Sequence, residues 1–291
     1  MRAPTSILEV AGTQFAIAKQ GSGPPIIFVH GSASDYRTWS EQIDRQSKTH
    51  NAIAYSRRFH WPNEPIAEGE VYDIARHVDD LEAIIDALDI GPANLVGHSY
   101  GAFVSILLAL RRPELVRSLV LAEPPIITLF LSLPPKIGEL LRLALTRPRT
   151  AATVVGFAAR GIEPAKAAIR RGELEKGLRI HGVAVLGEKF FKNLSPSRQE
   201  QVQQNLIVEE FLGPEYPVVA RPSLHRIRTP ILLLRGQQSP AIFHCIMDEL
   251  AGLLPAAQSD VIARASHIMH EDNSADFETA VTKFLSPITS G

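Results

Sequence analysis

The residues best placed to do chemistry lie around Ser99, in the run Gly97-His98-Ser99-Tyr100-Gly101. This is a G-x-S-x-G pattern, which carries meaning when a strand precedes it and a helix follows. Asn94-Leu95-Val96 reads as the end of a buried strand, and Ala102 to Leu110 (AFVSILLAL) as a buried helix. A strand that turns at once into a helix strains the middle residue, often into the left-handed region. Side chains two positions before and two after would collide there, so both flanks are glycine. The turn exposes the Ser99 hydroxyl at a helix N-terminus, where backbone N–H groups and the helix dipole favour a developing anion. A serine hydroxyl is a weak nucleophile and needs an adjacent base. Histidine suits, because its pKa lies near working pH. A carboxylate must then hold one imidazole tautomer and stabilise the imidazolium.

The elements that would position these groups alternate strand and helix. Ile7 to Val10 and Gln14 to Lys19 bracket a hairpin turn, and Pro25 to Val29 is a short apolar strand. Thr38 to Gln46 can form a helix with Trp39 and Ile43 on one face, and Asn51 to Tyr55 is a further strand. Val71 to Leu88 has the 3–4 spacing of one buried helical face, and Gly91-Pro92 ends it. Val116 to Leu121, Ile231 to Leu234 and Asp260 to Ala263 read as strands, with helices over Ile242 to Leu254 and Ala275 to Leu285. Short apolar strands separated by helices predict a mostly parallel central sheet covered on both faces. Ligand sites in such sheets lie beyond the carboxyl ends of the strands. His30, Ser99, Glu123, Gln237 to Ser239 and His267 all follow predicted strands, so they are candidates to meet at one edge. Between Ile126 and Ala220 strands vanish, and helical segments are broken by prolines. This predicts an all-helical cap over 126–220 inserted in a core made of 1–125 and 221–291.

Composition excludes several classes. The chain has 291 residues and a formal net charge of −1, so no global basic excess points to nucleic acid or to a membrane. No stretch has the length of a membrane span, residues 1–10 hold no apolar run of signal-peptide length, and the single Cys245 forms no intramolecular disulfide. A reducing, cytoplasmic setting is expected. No HExxH, CxxC, Walker or dinucleotide-binding motif occurs, and the histidines are not spaced as metal ligands. The expectation is therefore no metal and no cofactor.

His30-Gly31, Gly97-x-Ser99-x-Gly101 and the late His267 occur in that order on the alternating frame. In this the chain resembles the α/β-hydrolase superfamily over nearly its whole length, as the branch of serine hydrolases and esterases with a helical cap. The resemblance implies His267 as the base, in the run Ala265-Ser266-His267-Ile268, with His270 supporting the loop. The family usually carries the acid after the seventh strand, but that stretch here is Arg235-Gly236-Gln237-Gln238-Ser239, with no carboxylate. Some branches place it after the sixth strand, where this chain has Glu123. The implied triad is Ser99–His267–Glu123, with an oxyanion hole from the backbone N–H groups of Ser32 and Tyr100.

The loop Ser56 to Pro65 departs from the small, glycine-rich turn of many relatives. Arg57 or Trp61 could read a substrate carboxylate or ring there, against the plainer reading of a packed, salt-bridged surface loop. His30 and His98 are further candidates to line the substrate site, although His30 also suits a structural role in its turn. The expected activity is hydrolysis of a small carboxylic ester. The alternatives are cleavage of a C–C bond or a lactone with the same triad, and a ligand-binding receptor on a hydrolase frame. The expected partner is a small-molecule substrate; Phe190 and Phe191 are either pocket walls or a homodimer interface.

Overall fold

Eight strands form one sheet in the order β1-β2-β4-β3-β5-β6-β7-β8. In this computed structural model, which describes residues 5–214 and 216–289, they span Thr5–Val10 (β1), Thr13–Gln20 (β2), Pro25–Val29 (β3), Asn51–Tyr55 (β4), Ala93–His98 (β5), Val116–Ala122 (β6), Ile231–Gly236 (β7) and Ala257–Ile262 (β8). β1, β2 and β4 pair antiparallel, and every other pair is parallel. The core helices are α1 (Ser40–Gln46), α2 (Ile74–Ala87) and α3 (Tyr100–Arg111). Between β6 and β7 the described residues form helices and connections only. These helices are α4 (Ile137–Thr146), α5 (Pro148–Phe157), α6 (Glu163–Arg170), α7 (Leu174–Leu186), α8 (Glu188–Lys192), α9 (Pro196–Gln204), α10 (Val208–Leu212) and α11 (Arg221–Leu224). α12 (Ala241–Leu253), α13 (Met269–Asp272) and α14 (Ser274–Thr289) complete the chain.

The sheet separates two apolar cores. One packs α2, α3 and α12 against residues such as Ile27, Ile53, Leu95 and Leu233. The other packs α1 and α14 against Phe28, Val96, Val120 and Leu234. Alternate residues of β3, β5 and β7 serve opposite cores, which is why these strands carry apolar runs rather than an alternating pattern. Two boundaries differ from the sequence reading. α2 begins at Ile74, because the Asp73 side chain caps it by accepting from the Ala75 N–H at 3.0 Å. Val71 is therefore outside the helix and exposed, and Tyr72 is buried instead. The last strand begins earlier, at Ala257, with its polar positions facing solvent on the sheet edge.

Register carries the candidate residues to one edge. Val29 pairs with Gly97, His98 with Ala122, and Ala122 with Leu234. Gly31, Ser99, Glu123 and Gly236 therefore emerge at the carboxyl ends of four adjacent strands. The elbow needs both glycines for want of space. A Cβ on Gly101 would lie 2.1 Å from the Val29 carbonyl oxygen, and one on Gly97 would lie 2.5 Å from the Ala102 Cα. Neither neighbour is a side chain that could swing away.

On the other face, Glu278 of α14 is buried, and one of its oxygens accepts from Gln46 Nε2 of α1 at 2.8 Å. Burial, only partly offset by that hydrogen bond, pushes its carboxyl up to about 7. The native pKa lies above the unfolded one. Its neutral form is thus compatible with the fold below the ordinary carboxyl range, and stability is lost as pH rises through about 7.

Two outcomes are expected. Gly101→Ala should lower unfolding free energy by about 3 kcal/mol, since the colliding atoms are backbone; denaturant unfolding measures this, and a loss under about 0.5 kcal/mol would contradict the packing described. Glu278→Gln should raise stability by roughly 2 kcal/mol at pH 8 and leave it nearly unchanged at pH 4, as read by thermal unfolding at the two pH values. An equal change at both would contradict a buried, raised carboxyl.

Candidate active site

Ser99 has φ 50° and ψ −120°, the left-handed strain predicted for the elbow. Its own N–H donates to the Ala122 carbonyl at 2.8 Å, which ties the turn to β6. The Tyr100 N–H is the first amide of α3, one of the four that a helix leaves without an internal partner. Gly31 approaches the same turn so closely that a Cβ on it would lie 3.1 Å from the Ser99 Cβ and 2.8 Å from His98 Nδ1. The turn Ser32-Ala33 thus stands beside the serine, with Ala33 also at positive φ.

Glu123 is fully buried directly after β6, and it too is held at positive φ, 48°. Its Oε2 lies 2.7 Å from His267 Nδ1, and its Oε1 accepts from the Gly236 N–H at 2.9 Å. A carboxylate on Nδ1 leaves Nε2 as the nitrogen free to take a proton. Phe243 of α12 stacks on the His267 ring, with centroids 3.9 Å apart and planes within 17°. The His loop is braced from its other end by Asp272, whose carboxylate accepts from the Ser266 N–H at 2.7 Å and from its hydroxyl at 2.5 Å. Ser239, where the family's usual acid would stand, is buried with a hydroxyl that finds no partner among the described residues.

Several sequence candidates lie elsewhere in the site than expected. His98 donates from Nε2 to the His267 carbonyl at 2.8 Å. It is wedged between His267 and His270, so it holds the His loop against the elbow rather than lining a substrate pocket. His30 is fully buried: its Nε2 accepts from the Arg57 N–H at 2.9 Å, and its Nδ1 donates to the Gly31 carbonyl at 2.8 Å. Both ring nitrogens are used inside the protein. Arg57 is also fully buried. Its guanidinium donates to the carbonyls of His30 and Gly31, to the Tyr72 hydroxyl and to Glu210 of α10, and it lies over the Tyr100 ring. It is not open to a substrate carboxylate; Arg57 is packed and salt-bridged as the plainer reading expects, but in the interior rather than on a surface loop. Trp61 is half-buried between the Tyr36 ring and the Arg37 guanidinium, and its backbone N–H donates to Asn205 Oδ1 at 2.8 Å. It anchors the helical insertion. Phe191 lies on Gly182 within that insertion, and neither it nor Phe190 is among the exposed large apolar residues.

Three features were not read from the sequence. One is Phe243 on the His267 ring. Another is buried Asp35, which follows the Ser32 turn. It accepts from Gln201 Nε2 at 3.0 Å and from Asn205 Nδ2 at 2.7 Å, so α9 is fastened to that turn. The third is the electrostatic setting of the histidines. Burial holds His98 well below the ordinary imidazole range, with the neighbouring His270 and His267 acting in the same sense. Burial likewise lowers His270 to about 4, against the opposing pull of Glu271. Both are neutral at pH 7, so neither contests a positive charge on His267. No spacing rule signals the contacts of Phe243, Asp35 and His98, because their partners on the His loop and α9 lie far away in the chain.

A family model of the alpha/beta hydrolase fold matches residues 24–274. The chain is 24% identical over 269 residues to 2-(acetamidomethylene)succinate hydrolase of Mesorhizobium japonicum, covering 92% of this chain and 90% of that protein. It is 32% identical over 130 residues to 2-hydroxymuconate semialdehyde hydrolase of a Pseudomonas species, but this covers only 42% of this chain and 46% of that one. Among solved structures, carboxylesterase CesB of Bacillus subtilis superposes with a TM-score of 0.72 at 19% identity, over 99% of this chain and 93% of its own. The match of the family model over 24–274 shows the family: the chain belongs to the alpha/beta hydrolase fold family and is a hydrolase.

Proposed function

We propose that this hydrolase cleaves a small carboxylic ester through an acyl-enzyme on Ser99. The observation that carries the reading is the buried Glu123–His267 hydrogen bond at 2.7 Å beside a serine in the strained elbow. In the reaction, Ser99 Oγ attacks the ester carbonyl carbon as its proton passes to His267 Nε2. The carbonyl oxygen takes the negative charge and is held by the N–H groups of Ser32 and Tyr100. Glu123 stabilises the imidazolium through Nδ1. Collapse breaks the bond to the alkoxy oxygen, which leaves as the alcohol with the proton from Nε2. Water then gives a proton to His267, attacks the acyl carbon, and releases the acid and the free serine.

The surroundings of His267 favour an uncharged substrate. Phe243 covers one ring face, Phe157 packs against Phe243, and the nearby His98 and His270 are neutral. Arg57, the cation offered by the sequence for reading a carboxylate, is turned into the protein. A second reading keeps the same triad and cleaves a C–C bond next to a carbonyl, or a lactone. What favours it is the likeness to the hydrolases of 2-(acetamidomethylene)succinate and 2-hydroxymuconate semialdehyde.

A fluorophosphonate should label Ser99 in the wild type and fail to label Ser99→Ala, as mapped by peptide mass spectrometry. Labelling elsewhere, or none, would exclude the acyl-enzyme. With a p-nitrophenyl ester series, turnover is expected for short acyl chains. Labelling with turnover only of a β-diketone or lactone would transfer the assignment to the second reading. Glu123→Gln should lower kcat on the order of 10⁴-fold with the fold intact; a loss of only a few-fold would remove Glu123 from the mechanism.

A further inference from the structure

α4 is amphipathic the wrong way round for a helix that belongs wholly to a protein core. Leu143 faces inward and is buried, while Ile137, Leu141 and Leu145, at successive i, i+4 positions, are 77%, 60% and 84% exposed. These three make one stripe along the outside of the helix. Exposures this high leave no flanking wall, so the stripe is a ridge rather than a groove. Val155 of α5 and Val218, which borders α4 across a cleft of about 400 Å³, are the other large exposed apolar residues nearby.

The charge along this segment is mostly positive. Residues 133–149 hold Lys136, Arg142, Arg147 and Arg149 against a single carboxylate, Glu139. Glu139 is folded back onto the Ser132 N–H and hydroxyl at 2.9 and 2.6 Å. Arg147 pairs with Glu249, whereas no carboxylate among the described residues pairs with Arg142 or Arg149. The chain-wide net charge of −1 hides this local excess.

We propose that α4 docks this protein on the surface of an anionic phospholipid bilayer. Ile137, Leu141 and Leu145 would enter the headgroup boundary, with Lys136, Arg142 and Arg149 on lipid phosphates. A convex apolar ridge flanked by cations is the pattern of an interfacial helix that lies in the membrane plane. A second copy suits the ridge less well, because a two-fold contact would set these cations against themselves. The cleft beside α4 is bordered by Arg142, Arg147 and Arg221, which ill suits the apolar face of a partner's helix. The contact is peripheral: among the described residues no helix is long and apolar enough to cross a membrane.

Flotation of the full chain with vesicles tests this. The wild type should float with vesicles of phosphatidylcholine and phosphatidylglycerol in roughly equal parts. It should bind vesicles of phosphatidylcholine alone about tenfold less, and added salt should weaken the anionic-vesicle binding. The double variant Leu141→Glu/Leu145→Glu should bind anionic vesicles at least about tenfold more weakly, with its thermal unfolding and its labelling by fluorophosphonate unchanged. Wild type that stays at the bottom of the gradient with anionic vesicles would overturn the proposal, as would a variant that floats equally well. A wild-type dimer that the double variant converts to monomer would assign the ridge to a second copy and overturn it also.

Discussion

A single carboxylate, Glu123, ties three strand ends to the reactive centre. A buried charge is costly unless each oxygen has a partner. Glu123 has both: the His267 imidazole on one oxygen and the Gly236 N–H on the other. The second bond fixes the carboxylate against the end of β7, so the first can fix the ring. Gly236 has no room for a side chain, since a Cβ would meet the Ser266 carbonyl oxygen at 2.2 Å. The His loop therefore lies directly on the end of β7, and the acid reaches it from β6. Positive φ at both Ser99 and Glu123 is tolerated because ladder bonds hold each residue, Ser99 N–H to Ala122 and Glu123 N–H to Leu234.

The helical insertion is fastened by buried polar groups rather than by apolar contact alone. Arg57 joins the carbonyls of His30 and Gly31 to Glu210, and Asp35 joins the same turn to Gln201 and Asn205. Breaking one partner of such a pair leaves an uncompensated charge, which costs several times more than an exposed ion pair. The turn bearing Ser32 is thus shaped from both sides. The Ser32 N–H, proposed above as an oxyanion donor, would then need no reorganisation when the charge forms.

Much of the frame was legible because its signals are local. The apolar runs of β3 and β5, the paired glycines at Gly97 and Gly101, and the residue after each strand all lie within short windows. Glu123 was reachable by contrast, because the run Gln237-Gln238-Ser239 has no acid to offer. The loop Ser56 to Pro65 was harder. Its charges suit either solvent or a buried pair, and composition does not say which way Arg57 points. Its partner Glu210 is 153 residues away. Phe243 fits the apolar pattern of α12 equally well as plain core, so its stacking on His267 left no mark in the sequence. The exposed face of α4 was missed for the opposite reason: helical spacing reads the same whether the apolar stripe faces inward or out.

In the proposed triad, Glu123 holds the Nδ1 proton of His267. Low-field proton NMR of the resting protein tests it directly. A resonance far downfield of the amide envelope should appear in the wild type, carried by that short N–H···O bond, and should vanish in His267→Gln and in Glu123→Gln. A downfield resonance that persists unshifted in Glu123→Gln would show that another group orients His267 and would contradict this account.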